Sequence, residues 1–243
     1  MEIYSTILSG KKKGKKKFAV LIDPDKVSLP SLKTVVTLSN KAGVDFFFFG
    51  GSLLTRNTQD QGVKFLKENS AIPVVLFPGN SLQLNDCADG ILLLSLISGR
   101  NPDMLIGKHV ISAPFLKASK LEIIPTGYML IDSGRMTTVT YMSNTTPIPR
   151  DKPEIAVCTA MAGEMLGLKL IYMDAGSGAE STIPAKMIEL VKSTVNIPLI
   201  IGGGIDTSRK AGTILKAGAD LIVIGNAIEN DPQMILRIAE KIH

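Results

Sequence analysis

The sequence predicts one (β/α)₈-barrel domain spanning residues 1–243. Eight short apolar runs recur along the chain, and most are followed by a helix-like segment. The runs are continuous rather than alternating, which marks strands buried on both faces, as in a parallel sheet covered by helices. Eightfold repetition favours a closed barrel over an open sheet. The 243 residues also match the roughly 250 that such a barrel needs.

Taken in order, the strand candidates begin with Phe18 to Ile22, then Val44 to Phe49, Val74 to Phe77 and Gly90 to Leu94. Glu122 to Ile131 is longer and contains Pro125 and Gly127. Leu168 to Met173, Pro198 to Ile201 and Asp220 to Ile224 complete the eight. Helix-like segments are expected within residues 29–41, 59–67, 152–166, 185–193, 207–216 and 231–241, with Thr207 as a capping-type residue. The pattern is modified around the third helix. Between Leu94 and Leu121 it is interrupted by Gly99, Pro102, Gly107 and Pro114, and no standard helix is evident. Residues 132–151 are polar and read as a long loop over one mouth of the barrel.

Composition narrows the classes. Hydrophobic residues make up 45%, with no Trp and only 5% aromatics, so the core is aliphatic. No run of about 18 apolar residues exists, and the start, Met1 to Gly10, is too polar for a signal peptide. Cys87 and Cys158 form no spaced motif and read as buried thiols in a reducing, cytoplasmic setting. The net charge is +5, yet Lys11, Lys12, Lys13, Lys15, Lys16 and Lys17 alone exceed it. This block reads as a solvated loop before the first strand. The competing reading is contact with an anionic partner, a membrane surface above all. Aromatic residues do not interleave with the lysines, so nucleic acid is not an expected partner.

Three glycine-rich strand ends carry the chemistry. They are Tyr172-Met173-Asp174-Ala175-Gly176-Ser177-Gly178, Gly202-Gly203-Gly204 and Gly225-Asn226. Loops at this end of a barrel chain commonly hold a phosphate, because backbone N–H groups without a Cβ in the way can approach its oxygens. The first strand ends Asp23-Pro24-Asp25-Lys26, placing carboxylates at the catalytic face, where hard oxygen ligands suit Mg²⁺. Asp-Pro-Asp is also good turn chemistry. Gly50-Gly51-Ser52 at the second strand end adds a hydroxyl. His109, in the irregular middle, and His243, at the end, make no triad or zinc spacing. From the residues alone, two readings stay open at this point: a barrel enzyme acting on a small phosphorylated substrate, such as an isomerase or aldolase of sugar phosphates, and a non-enzymatic anion-binding module built on the lysines.

Taken together, Leu21 to Lys26, Phe49 to Ser52, Tyr172 to Ala179, Gly202 to Ile205 and Val223 to Glu229 resemble the geranylgeranylglyceryl phosphate synthase family, in its Asp-Pro-Asp-Lys branch. The resemblance implies an Mg²⁺-dependent prenyltransferase of ether phospholipid biosynthesis, acting on sn-glycerol 1-phosphate and geranylgeranyl diphosphate or a similar prenyl diphosphate. It implies Asp23 and Ser52 as metal positions. It implies Tyr172, Met173, Asp174, Ala175, Gly176, Ser177, Gly178, Gly203, Gly204, Gly225 and Asn226 as the glycerol phosphate site, with Asp174 as the catalytic carboxylate where other branches carry Glu. It also implies a barrel modified after the third strand and a homo-oligomer.

Overall fold

A computed structural model describes residues 2–56, 58–80 and 83–242. His243, set aside above, and Met1 lie outside the described residues. All eight expected strands form: β1 (Lys17–Ile22), β2 (Phe46–Phe49), β3 (Val74–Leu76), β4 (Gly90–Leu96), β5 (Glu122–Leu130), β6 (Leu170–Asp174), β7 (Leu199–Gly202) and β8 (Leu221–Ile224). They run parallel in sequence order, and β1 pairs with both β2 and β8, closing the barrel.

The all-aliphatic expectation misses one layer. In β2, Phe46 and Phe48 fill the barrel interior, while Phe47 and Phe49 pack outward against the helices. All four are at most 1% exposed, so this run is core and not a lipid groove.

The helices wrap the barrel as α2 (Leu29–Ala42), α3 (Gln59–Asn69), α6 (Pro153–Met165), α7 (Ala185–Thr194), α8 (Ser208–Lys216) and α10 (Met234–Ala239). Local chemistry sets their ends. Ser28 and Ser31 form a capping box at the start of α2, and Gly43 ends it in the left-handed region at φ 66°. The Thr207 side chain accepts the Lys210 amide at 3.2 Å, as expected.

Three expectations need correction. A helix does follow β4: one π-helical turn over Asp103–Gly107 runs into α4 (Lys108–Ala118). Pro114 hid it, because an internal proline removes one ladder bond without ending the helix here. The helix that is missing is the one after β3, where residues 77–89 contain none among the described positions, as the family resemblance implies. The loop over the mouth is broken by α5 (Thr138–Ser143) and is tied to β5 by a bridge between Ile131 and Ile148. Cys87 and Cys158 are both exposed, not buried.

The lysine block is not a free loop either. A helix, α1 (Ile3–Lys12), precedes β1 and inserts Ile3 and Ile7 into the cluster filling the barrel interior. It closes the N-terminal mouth. Lys16 Nζ donates to the Ala219 carbonyl at 2.7 Å, and Lys17 pairs with Asp45 at 2.7 Å. Of the six, Lys12, Lys13 and Lys15 are exposed and the other three are half-buried.

Three aspartates finish that end in one way. Asp45, Asp89 and Asp220 each precede a strand and accept the first free amide of a neighbouring strand, from Phe18, Val74 and Leu199 at 2.8–2.9 Å. A lysine (Lys17, Lys67 or Lys192) balances each charge. The carboxylates at this face therefore serve strand ends, leaving the opposite face for chemistry.

Candidate active site

One pocket lies over the C-terminal ends of the strands. Asp23, Lys26, Ser52, Tyr172, Asp174, Gly176, Ser177, Gly178, Gly203, Gly204, Gly225 and Asn226 line it together. Sequence reasoning chose eleven of these and left out Lys26. Two chosen residues do not face the pocket. Met173 and Ala175 are 0% and 3% exposed and pack outward with the helix layer. The alternation of a strand explains this, because Tyr172 and Asp174 point inward and their neighbours must point out.

The three glycine loops lock onto one another. Gly203 is in the left-handed region at φ 82°. A Cβ there would fall 2.7 Å from the Gly176 nitrogen and 2.8 Å from Asp174 Oδ1, so only glycine permits this crossing. Gly202, in no site assignment, has a second reason: its Cβ would lie 2.4 Å from the Tyr172 hydroxyl. Ser177 Oγ donates to Asn226 Oδ1 at 2.9 Å, joining the β6 and β8 loops.

Asp174 sits at the pocket floor, 7% exposed. Burial raises its carboxyl above the ordinary range. The Tyr128 hydroxyl, donating at 2.5 Å, and the Gly176 amide, donating at 2.8 Å, pull it back down. Burial and the Asp174 charge hold the Tyr128 and Tyr172 phenols well above the usual value, so both stay donors. Tyr128 was missed in the sequence because a lone Tyr in an apolar run reads as core. With Phe77 it packs around Tyr172, at ring separations of 5.2 to 5.9 Å.

At the β1 edge, Asp23 Oδ1 accepts the Asp25 amide at 3.0 Å, and its Oδ2 faces Lys26. Asp25, on the pocket edge, is engaged otherwise: its carboxylate takes the Thr55 hydroxyl at 2.9 Å and the Arg56 amide at 3.1 Å, tying the β1 and β2 loops together. Asp23 and Ser52 offer hard oxygens on one wall, and no cluster of three or more His, Cys, Asp or Glu occurs among the described residues. One carboxylate and one hydroxyl suit Mg²⁺, which keeps waters and takes its other ligands from phosphate oxygens.

A second, mostly apolar groove of about 850 Å³, counting its open side, runs from this pocket over the gap left by the missing helix. Leu84, Ile91, Leu93, Leu94, Leu96, Met104 and Leu116 line it. Gly51, Ser52, Phe77 and Tyr128 belong to both spaces, so the two are continuous. His109 and Lys108 stand on the groove wall, away from Asp174.

Residues 11–242 match the model of the PcrB family. A protein of Spirosoma linguale called geranylgeranylglyceryl phosphate synthase is 55% identical over 226 residues, 93% of this chain and 91% of that one. One of the same name from Chitinophaga pinensis is 54% identical over 242 residues, covering 100% and 96%. Among solved structures, (S)-3-O-geranylgeranylglyceryl phosphate synthase of Thermoplasma acidophilum, in complex with its substrate sn-glycerol-1-phosphate, superposes with a TM-score of 0.93 at 32% identity, covering 100% and 98%.

Proposed function

This chain belongs to the PcrB family of geranylgeranylglyceryl phosphate synthases, and from that premise we infer that it is a prenyltransferase. It joins sn-glycerol 1-phosphate to geranylgeranyl diphosphate, or a similar prenyl diphosphate, giving a prenylglyceryl phosphate ether and pyrophosphate. The observation that carries this reading is the continuity of the phosphate pocket with the apolar groove at Gly51, Ser52, Phe77 and Tyr128. A small sugar phosphate would leave the groove without purpose. The lysine-based anion module is disfavoured because the lysines sit at the opposite end of the barrel and two of the six, Lys16 and Lys17, serve the fold.

In this reading the amides of the Ser177 to Gly178, Gly203 to Gly204 and Gly225 to Asn226 loops hold the glycerol phosphate dianion, while the Gly176 amide stays on Asp174. Its free terminal hydroxyl is then aimed at Asp174. Tyr128 fixes the Asp174 carboxylate, which accepts the hydroxyl proton as the oxygen attacks C1 of the prenyl chain. The new C–O bond forms as the allylic C–O bond breaks, and its electron pair leaves on pyrophosphate. Holding both reactants on rigid strand ends supplies the proximity term. Asp23 and Ser52 are the residues that would hold Mg²⁺, whose contribution is to neutralise charge on the departing diphosphate.

The exposed faces of α4 and α6 suit association of copies: Val110, Ile111 and Phe115, with Ile155, Met165 and Leu166, are 43% to 83% exposed. No helix among the described residues is long and apolar enough to cross a membrane. Lys12, Lys13 and Lys15 are the lysines left for an anionic membrane surface.

Incubation with Mg²⁺, sn-glycerol 1-phosphate and prenyl diphosphates of several lengths tests the assignment. Ether product is expected, with sn-glycerol 3-phosphate a poor acceptor. No product with any donor would remove it.

A further inference from the structure

Glu229 has had no role so far, yet it faces the same cation as Asp23. Lys26 Nζ lies 3.4 Å from Asp23 Oδ2 and 3.3 Å from Glu229 Oε2. Both separations exceed the 2.7–2.9 Å or so of a tight charge-assisted bond, so one ammonium is shared loosely between two carboxylates. The carboxylates are shielded, at 19% and 17% side-chain exposure, while Lys26 is 42% exposed and free to reach into the pocket. Burial and the Asp23 charge raise the Glu229 carboxyl, and Lys26 opposes that. Glu229 belongs to the short helix α9 (Asn226–Asn230) that follows β8, whose strand pairs with β1. The pair therefore spans the seam between the glycerol phosphate loop and the diphosphate corner.

We propose that Glu229 is a positioning residue that keeps Lys26 at the diphosphate corner of the site. Lys26 is here the counter-ion of Asp23. Once a divalent cation is held at Asp23, a lysine with no other partner would swing into solvent on its flexible stem. Glu229 retains it, with its free N–H groups directed at the diphosphate. The inference rests on the reading of Asp23 as a metal position.

The sign of one effect separates positioning from plain charge. Removing the Glu229 charge by Glu229→Gln would, through space alone, strengthen binding of an anion. Positioning requires the reverse. Calorimetry of pyrophosphate with Mg²⁺ is expected to show binding about tenfold weaker in Glu229→Gln, at least as weak in Lys26→Gln, and largely kept in Lys26→Arg. In the Lys26→Gln background, Glu229→Gln should add little. Affinity for sn-glycerol 1-phosphate, measured in parallel, should stay within a few-fold in all variants that fold. Pyrophosphate binding unchanged or tighter in Glu229→Gln would overturn the proposal. Mn²⁺ alone, followed by electron paramagnetic resonance, should bind more tightly to Lys26→Gln than to the parent, and weaker binding would count against the counter-ion role. Asp23→Asn separates the underlying reading: Mn²⁺ binding equal to the parent's would remove Asp23 as a metal position, while the pyrophosphate arm would still judge Lys26 and Glu229.

Discussion

Tyr128 donates its hydroxyl to Asp174 Oδ2, linking β5 to the neighbouring β6 on the barrel's inner side. The same ring borders both the phosphate pocket and the apolar groove. In the proposed reaction Tyr128 therefore sits where the two reactants meet, bonded to the carboxylate assigned there as the proton acceptor.

Removing that hydroxyl has a signed consequence. Burial raises the Asp174 carboxyl, and the Tyr128 bond lowers it. A base must be ionised to work, so activity is lost as pH falls through its pKa, and this limb should already lie above the ordinary carboxylate range. In Tyr128→Phe one stabiliser of the anion is gone, and the acid limb of the kcat/KM profile should move to higher pH. Asp174→Asn should lower kcat by about 10²–10⁴ and abolish that limb. A Tyr128→Phe profile that stays put would mean that the bond does not tune the base.

Chelation should divide the two substrates. We expect excess chelator, or Asp23→Asn, to stop turnover while sn-glycerol 1-phosphate still binds with nearly parental affinity, because its cradle is made of amides on the far wall. Calorimetry with and without chelator checks this. Loss of glycerol phosphate binding on chelation would place the metal elsewhere.

The limits of sequence reading are themselves physical. The eight strands were legible because double-sided burial forces continuous apolar runs, and the glycine loops because Gly203 has no substitute at its crossing. Helix α1 was not, since its two anchors, Ile3 and Ile7, are too few to make a period. Met173 and Ala175 came with the stretch that carries the family resemblance, when strand alternation already turns them outward. Lys26 stands in a motif already singled out, but its link to Glu229, like that of Tyr128 to Asp174, joins elements far apart in the chain, which no local pattern encodes.

Filling the groove should change which donor is preferred. Met104 lines it from the π-helical turn and is partly accessible. In Met104→Trp the longest donors lose apolar burial at about 0.8 kcal/mol per CH₂ that no longer fits. The ratio of kcat/KM for geranylgeranyl over geranyl diphosphate should fall at least tenfold, with glycerol phosphate affinity unchanged. Equal loss for both donors would mean that the groove does not measure chain length.

The exposed face of α4 predicts an oligomer. Phe115 is 66% exposed and Ile111 64%, an unusual load for one helix in water. A charge at the centre of such an interface is costly once desolvated. Sedimentation of the parent should show a species larger than the 243-residue monomer, and Phe115→Glu should shift it toward monomer. A monomeric parent would reject this face as a self-interface.

The barrel's closed end should be separable from its chemistry. Glu122, the first residue of β5, accepts the amides of Ile3 and Tyr4, the latter at 2.8 Å, and so caps the start of α1 with a full negative charge. A ten-residue helix is marginal alone, so α1 depends on this cap and on burying Ile3 and Ile7. Glu122→Ala should cost about 1–2 kcal/mol, or a few degrees of Tm in a domain of this size. Glu122→Gln, which keeps an acceptor but loses the charge, should cost less. Because the active-site pocket is at the other mouth, kcat and KM at 25 °C should be unchanged in both. A Glu122→Ala protein as stable as the parent would show that the two isoleucines hold α1 without the cap, and a fall in kcat would show that the two ends of the barrel are coupled.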